Sequence, residues 1–267
     1  MSGVGDTRVK GGAMGVADAA VAGPVLVADA PLAHLLWGPA IAHDAGTTAA
    51  GAATTPPLAV LLHGVGGGRS AWMDTGPVLA ALGFRVLAAD QPGYGLSKAI
   101  DPCDMAGMAD AVRRLVVWAA GGDERASAFI VGHSMGGMVA QEVVARRPEL
   151  VGKLVLCGTS PSFGKPDGDW QREFINQRTA PLDAGQTMAQ LAEVLVPQMI
   201  GPGSLPEGVK LATHCMGQVN PSTYRRALEC IVTFDRRASL AAIHLPTLLL
   251  AGEHDRNAPP AVMKKMA

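Results

Sequence analysis

Between Leu58 and Ser160 four short apolar runs alternate with longer stretches of helical character: LAVLLHG (58–64), FRVLAAD (84–90), SAFIVGHS (127–134) and KLVLCGTS (153–160). Each run is rich in Val, Leu or Ile and stops at turn residues. Helices are predicted between them over MAGMADAVRRLVVWAA (105–120) and MGGMVAQEVVARRPEL (135–150), the latter with Met138, Val139, Glu142 and Val143 toward one face. Apolar runs without polar alternation are strands buried on both faces, and helices between them act as crossovers in a parallel sheet. The expected fold class is therefore α/β, a mostly parallel sheet with helices on both faces. A chain of 267 residues, 48 % hydrophobic and 17 % charged, supplies the core this needs and is not wholly disordered.

Three zones flank or interrupt that rhythm. Residues 1–57 hold the low-complexity patch AGTTAAGAATT (45–55), which suits a loop between strands, and an expected hairpin of VLVADA (25–30) and LAHLLWG (32–38). Residues 58–160 form the first part of the core. Residues 161–240 contain no strand-like run and read as several helices. In this zone Met188, Leu191, Ala192, Leu195 and Val196 make one apolar stripe, and 221–237 starts a helix at Pro221. A helical insertion between two strands of one sheet is expected to cap the C-terminal edge of that sheet. The strand rhythm returns in PTLLLAGEHD (246–255), within a second core part, 241–267.

Charge and cysteine usage exclude several function classes. Lys plus Arg number 22 against 23 for Asp plus Glu, so there is no electrostatic footprint for nucleic acid or an anionic membrane. No segment offers the roughly 18 apolar residues of a membrane helix. Cys103, Cys157, Cys215 and Cys230 are widely spaced and form no CxxC pair, so neither a disulfide framework nor a metal site is expected. The four read as small buried hydrophobes, reduced in the cytoplasm.

The chemistry concentrates at Gly-His-Ser-Met-Gly (132–136), which fits G-x-S-x-G at a strand-to-helix junction. With 33 glycines the pattern could arise by chance; the strand before it and the helix after it decide for a nucleophile, Ser134. Small residues two before and two after let the turn close, and the helix N-terminus aims N–H groups at a developing oxyanion. LLHGVGGGRSAW (61–72) ends a strand in a glycine-rich loop, whose Val65 N–H is the expected oxyanion donor beside that of Met135. A phosphate loop is the rival reading, but the run lacks both the Lys-Ser/Thr of a Walker motif and GxGxxG. His63 reads as structural. In LLLAGEHDRNAPP (248–260) a carboxylate past a strand end is placed to orient a base, with Asp255 preferred over Glu253; a turn-capping aspartate is the alternative.

Together LLHGVGGGRSAW, FRVLAADQPGYGLS (84–97), VGHSMGGMVAQEVVARRPELVGKLVLCGTS (131–160) and PTLLLAGEHDRNAPP resemble the α/β-hydrolase superfamily, most of all its 3-oxoadipate enol-lactonase-like members. The resemblance covers roughly 58–160 and 240–267 and is specific at superfamily level. It implies a Ser-Asp-His triad with Ser134 as nucleophile and Asp255 as acid, Val65 and Met135 as oxyanion donors, an ester or lactone substrate, a helical lid and no cofactor. The PGYG run (92–95) is assigned a structural turn and no chemistry.

The triad order on this fold is Ser, acid, His, yet no histidine follows Asp255 in the sequence. His133 and His254 adjoin the two triad members, His34 and His43 lie early, and His214 and His244 lie in or beside the insertion. The expectation is a C-terminally shortened hydrolase in which Ser134 lacks its base and the chain is nearly inactive. The competing class is a catalytically silent ligand-binding protein on the same fold. A third reading, C–C hydrolysis or perhydrolysis, uses the same triad. Of Trp72, Trp118 and Trp170, only Trp170 is placed where it could line a pocket.

Overall fold

A computed structural model of the chain describes residues 23–38, 56–163 and 168–267. The low-complexity patch 45–55 and His43 lie outside these residues. Seven strands form one sheet: β1 (Val25–Val27), β2 (His34–Trp37), β3 (Leu58–Leu62), β4 (Arg85–Ala89), β5 (Ala128–His133), β6 (Val151–Cys157) and β7 (Thr247–Leu250), in the order β1-β2-β4-β3-β5-β6-β7. β1 and β2 pair antiparallel as the expected hairpin, and β2 lies antiparallel on β4. From β4 to β7 all pairs are parallel.

Each face of the sheet buries alternate residues of the same strands. Val60, Leu62, Leu87, Ala89 and Ile130 face a cluster with α2 (Met105–Ala119) and α3 (Met135–Arg146). Ala59, Leu61, Val86, Ala88 and Val131 face Trp37, Trp72 and α1 (Thr75–Ala81) on the other side. Burial on both faces is why these strands carry no polar alternation. The predicted second helix is shorter than 135–150: α3 stops at Arg146, a 3-10 turn takes Pro148–Leu150, and β6 already starts at Val151. Pro148 cannot donate a helical hydrogen bond and restricts the residue before it, which ends the helix.

Between β6 and β7 come α4 (Asp169–Asp183), α5 (Met188–Leu195), α6 (Pro206–Gly217) and α7 (Pro221–Val232). α5 starts in a capping box, Thr187 with Gln190, and buries Met188, Leu191 and Ala192 of the expected stripe. α7 is shorter than expected, because the chain after Thr233 turns into a neck. There Phe163 N–H donates to the Phe234 carbonyl (2.9 Å) and Arg236 N–H to that of Pro161 (2.7 Å), so the two legs of the insertion are tied side by side.

A buried carboxylate fastens this neck to the core. Glu142 of α3, its side chain 2 % exposed, accepts from Arg236 Nε (2.6 Å) and Nη2 (2.7 Å) and is also paired with Arg146. Burial alone would raise its pKa, but hydrogen bonds from Arg236 and Arg146 outweigh that and hold the carboxyl below its usual range. β7 closes the sheet with Leu248 and Leu250 exposed, followed by α8 (Pro260–Met266).

Candidate active site

The chain crosses from one side of β3 to the other between β4 and β5, so the carboxyl ends of β3 and β5 flank a switch point where loops diverge and a ligand can enter. Ser134 stands there, between β5 and α3. Its φ of 52° and ψ of −117° make it the one non-glycine at positive φ among the described residues. Such a backbone costs on the order of 1–3 kcal/mol and persists only where the surroundings dictate it.

Those surroundings are explicit. Ser134 N–H donates to the Cys157 carbonyl (2.9 Å), and its own carbonyl accepts from Gly137 N–H (2.9 Å), Met138 N–H (3.2 Å) and Thr159 Oγ1 (2.8 Å). A methyl group on Gly132 would lie 2.4 Å from the Gly136 carbonyl oxygen, and one on Gly136 would lie 2.1 Å from that of Leu62. Both contacts are with backbone, so the glycines of the motif are required by close approach of β3, β5 and α3. Met135 N–H, the first of the helix, is not taken by a hydrogen bond within the described residues, as expected at a helix N-terminus.

The loop after β3 meets the same point. A methyl on Gly64 would lie 3.1 Å from Ser134 Cβ. The Gly64 carbonyl accepts from Gly67 N–H (2.9 Å) and bonds His63 Nδ1 (2.8 Å). In a trans peptide the following N–H points the opposite way, so that of Val65 is turned away from these donors. It too carries no hydrogen bond within the described residues.

His63 is structural, as its environment demands. Gln91 N–H donates to Nε2 (3.1 Å), which places the imidazole proton on Nδ1 for the Gly64 carbonyl. Desolvation lowers its pKa to about 4, against the pull of the Gly64 bond and of Asp90, so both nitrogens stay committed at neutral pH. The run PGYG also has a role that sequence reasoning missed. Tyr94 hydroxyl donates to the Val65 carbonyl (2.9 Å), clamping the next peptide of the loop, and burial keeps its phenol protonated. Asp90, 1 % exposed, accepts from Arg69 N–H (2.9 Å) and Leu96 N–H (3.2 Å) and pairs with the Arg69 guanidinium. Buried polar residues directly after a strand, Asp90 and Gln91, were the available signal.

Asp255 lies five residues beyond β7. Its Oδ1 accepts from Asn257 N–H (2.8 Å) and Ala258 N–H (2.9 Å), the bonds of a turn-capping aspartate. Among the described residues its Oδ2 has no hydrogen bond; it faces Gly158, where a methyl would lie 3.3 Å from Oδ2 and 3.8 Å from His133 Nε2. His133 is thus an imidazole close to this carboxylate, and desolvation lowers its pKa while Asp255 pulls it back. No hydrogen bond joins His133 to Ser134. Glu253 is exposed, as are His214, His244 and His254, and His34 is buried in β2. Trp170 is 57 % exposed and stacks on Phe163 and Phe174 at the neck. Among the described residues no group of three or more His, Cys, Asp or Glu is placed to hold a metal ion, and no helix is long and apolar enough to cross a membrane.

Comparison with known proteins agrees with this geometry. Residues 57–267 match the family described as alpha/beta hydrolase fold. The chain is similar to a pimeloyl-[acyl-carrier protein] methyl ester esterase of Vibrio campbellii, 30 % identical over 208 residues that cover 76 % of this chain and 78 % of that one. Among solved structures it is similar to a hydrolase from Pseudomonas aeruginosa (TM-score 0.72, 25 % identity, 91 % and 85 % of the two chains). It is also similar to the enol-lactonase of Burkholderia xenovorans (TM-score 0.69, 25 % identity, 80 % and 79 %).

Proposed function

The chain belongs to the α/β-hydrolase family, and from that premise we propose that it is a serine hydrolase cleaving a carboxylic ester or an enol-lactone through an acyl-enzyme. The observation that carries the reading is Ser134 held at φ 52° at the head of α3, with two uncommitted N–H groups, of Met135 and Val65, on the elements that converge on it. Ser134 Oγ attacks the carbonyl carbon, the two N–H groups receive the negative charge, and the alcohol or enolate leaves. A retained enolate on the acyl group distinguishes the lactone product from that of an open ester. The similar proteins are named for a methyl ester and for an enol-lactone, which supports the substrate class. The helical insertion 161–240 is read as a cap, since Met216 of α6 lies over Gly66 of the oxyanion loop. Four cysteines outside any disulfide support a reducing, cytoplasmic setting.

Proton transfer is the weak step within these 267 residues. Asp255 Oδ2 is the acceptor that would orient an imidazole, but no histidine nitrogen is hydrogen-bonded to Ser134 among the described residues. Loss of the base in a serine hydrolase costs on the order of 10⁶ in kcat, so turnover by this chain is expected to be slow. That same observation favours the second reading, a protein that binds ester-like ligands without cleaving them.

Added imidazole separates the two. With a nitrophenyl ester, the hydrolase reading expects a rate that rises with imidazole concentration above the background of free imidazole, an acyl group on Ser134 by peptide mass spectrometry, and loss of both in Ser134→Ala. Binding of the ester with no acylation at any imidazole concentration would leave the silent-binder reading standing. Undiminished acylation in Ser134→Ala would remove Ser134 as nucleophile.

A further inference from the structure

The run Gly64-Val65-Gly66-Gly67-Gly68 has little backbone preference of its own, because glycine populates φ on either side of zero. A donor N–H on such a segment stabilises an oxyanion only if it is aimed before the reaction begins. Three successive carbonyls around the Val65 N–H are pinned. That of His63 accepts from Gln91 Nε2 (2.6 Å), that of Gly64 from Gly67 N–H (2.9 Å) and His63 Nδ1 (2.8 Å), and that of Val65 from the Tyr94 hydroxyl (2.9 Å). Only the middle clamp is made within the loop. The outer two come from the turn after β4.

That turn is itself held from the insertion. Tyr94 is 2 % exposed, its ring edge-on to His63 at 4.6 Å between centroids. The peptide joining Gly93 to Tyr94 is fixed at both ends: Thr223 Oγ1 of α7 donates to its carbonyl (2.7 Å), and its N–H donates to the Gln91 carbonyl (2.9 Å). One turn along α7, Arg226 Nη2 donates to the Ile100 carbonyl (2.5 Å), so the helix grips the same stretch of chain twice. From α7 to the oxyanion loop the connection is therefore two hydrogen bonds and one residue, Tyr94.

We propose that Tyr94 and Thr223 are positioning residues for the oxyanion hole, an inference that rests on the reading of Ser134 as the nucleophile. Thr223 fixes the Gly93–Tyr94 peptide, Tyr94 fixes the Val65–Gly66 peptide, and the insertion thereby sets the aim of the Val65 N–H. Neither residue touches the reacting atoms. The insertion then does more than cover the site, because one of the two oxyanion donors depends on how α7 is seated.

The two donors differ in what holds them. Met135 N–H opens α3, where Gly137 N–H (2.9 Å) and Met138 N–H (3.2 Å) already anchor the Ser134 carbonyl, so its direction follows from the helix. Val65 N–H has glycine on both sides and no helix behind it. Without the Tyr94 hydroxyl the Val65 carbonyl loses its donor, and the flanking glycines let that peptide turn. Removing an oxyanion donor outright costs on the order of 10²–10³ in kcat, so misaiming it in Tyr94→Phe should cost about 10- to 100-fold. Thr223→Val keeps the phenol and loosens only its support, for a smaller loss of about 3- to 10-fold.

The test uses the whole chain with a nitrophenyl ester at fixed imidazole, separating the maximal rate of Ser134 acylation from the half-saturating ester concentration. The backbone amide resonances of Val65 and Met135 are followed by NMR without ester. Expected are the two losses in maximal rate, half-saturation within about twofold of the unmutated chain, and recovery in Thr223→Ser, which keeps the hydroxyl. The double variant should fall no further than Tyr94→Phe alone, since Thr223 acts through Tyr94. In both single variants the Val65 resonance should move and that of Met135 should stay. An unchanged maximal rate in Tyr94→Phe, additive losses, or equal displacement of both amides would each overturn the inference. Absence of acylation in the unmutated chain would instead refute the hydrolase reading, and an unmoved Val65 resonance would then still overturn the relay. Thr223 is half-buried on the insertion, so its variant carries the test if Tyr94→Phe fails to fold.

Discussion

Glu142→Ala probes how the insertion is fastened to the core. The carboxylate is 2 % exposed and takes two hydrogen bonds from the Arg236 guanidinium, at 2.6 and 2.7 Å, besides its pairing with Arg146. A hydrogen bond to a charged group contributes about 1.5–3 kcal/mol. The Arg236 and Arg146 side chains are 31 % and 50 % exposed, so each regains water when the carboxylate goes, and the full cost of about 3–5 kcal/mol for a stranded buried charge does not apply. A loss of about 2–3 kcal/mol is expected. Arg236→Ala should cost at least as much, because it strands the buried carboxylate with Arg146 alone. Urea unfolding followed by circular dichroism measures both, with a midpoint shift of about 1 M for Glu142→Ala at a slope of about 2–3 kcal/mol/M. The double variant should reveal a coupling of about 1–2 kcal/mol. The folded-state pKa of Glu142 is depressed, so its contribution is present above the ordinary glutamate pKa and fades as pH falls through the folded value. The difference between the unmutated chain and Glu142→Ala should shrink accordingly on acidification. A Glu142→Ala midpoint indistinguishable from the unmutated chain, or zero coupling with Arg236, would refute the reasoning.

Three further outcomes follow from single residues. Gly136→Ala should leave no soluble folded protein, because its Cβ would lie 2.1 Å from the Leu62 carbonyl oxygen and 2.8 Å from that of His63, both backbone; a normal melting curve would contradict this. Gly208→Ala, in an exposed turn of α6 with nothing within 4 Å of the new methyl, should stabilise by about 0.5–1 kcal/mol and raise Tm by about 2–3 °C; a lower Tm would count against the helix there. His63 is held neutral with a folded pKa of about 4 against an ordinary 6.5, so the unfolded chain binds a proton that the fold refuses. Stability should fall as pH drops through that window, with less fall in His63→Asn; equal pH slopes in urea titrations would exclude His63 as the cause.

The sheet and the strained strand-to-helix turn at Ser134 were legible because their causes are local. A strand buried on both faces has to be apolar throughout, and LAVLL, RVLAA and AFIVG state that over five residues each. The turn at Ser134 needs glycines two before and two after, so Gly132 and Gly136 announce it before any partner is known. The helical insertion was legible from the stripe that α5 buries. Helix ends were less so: Pro148 cuts short the helix expected to reach 150, and α7 gives way to the neck that the Phe163–Phe234 and Pro161–Arg236 bonds require.

Everything that depends on which elements become neighbours was decided by the tertiary structure. Chain order does not state that β3 lies between β4 and β5, yet that placement brings Gly64 against Ser134 and turns Tyr94 into the clamp on Val65. Glu142 reads as one polar residue on a helix face, and only its meeting with Arg236, 94 residues on, makes it an anchor. The physical reason is range. Steric and hydrophobic demands within a few residues are written in adjacent letters, whereas hydrogen bonds and ion pairs between distant residues depend on distances that exist only once the chain has closed on itself.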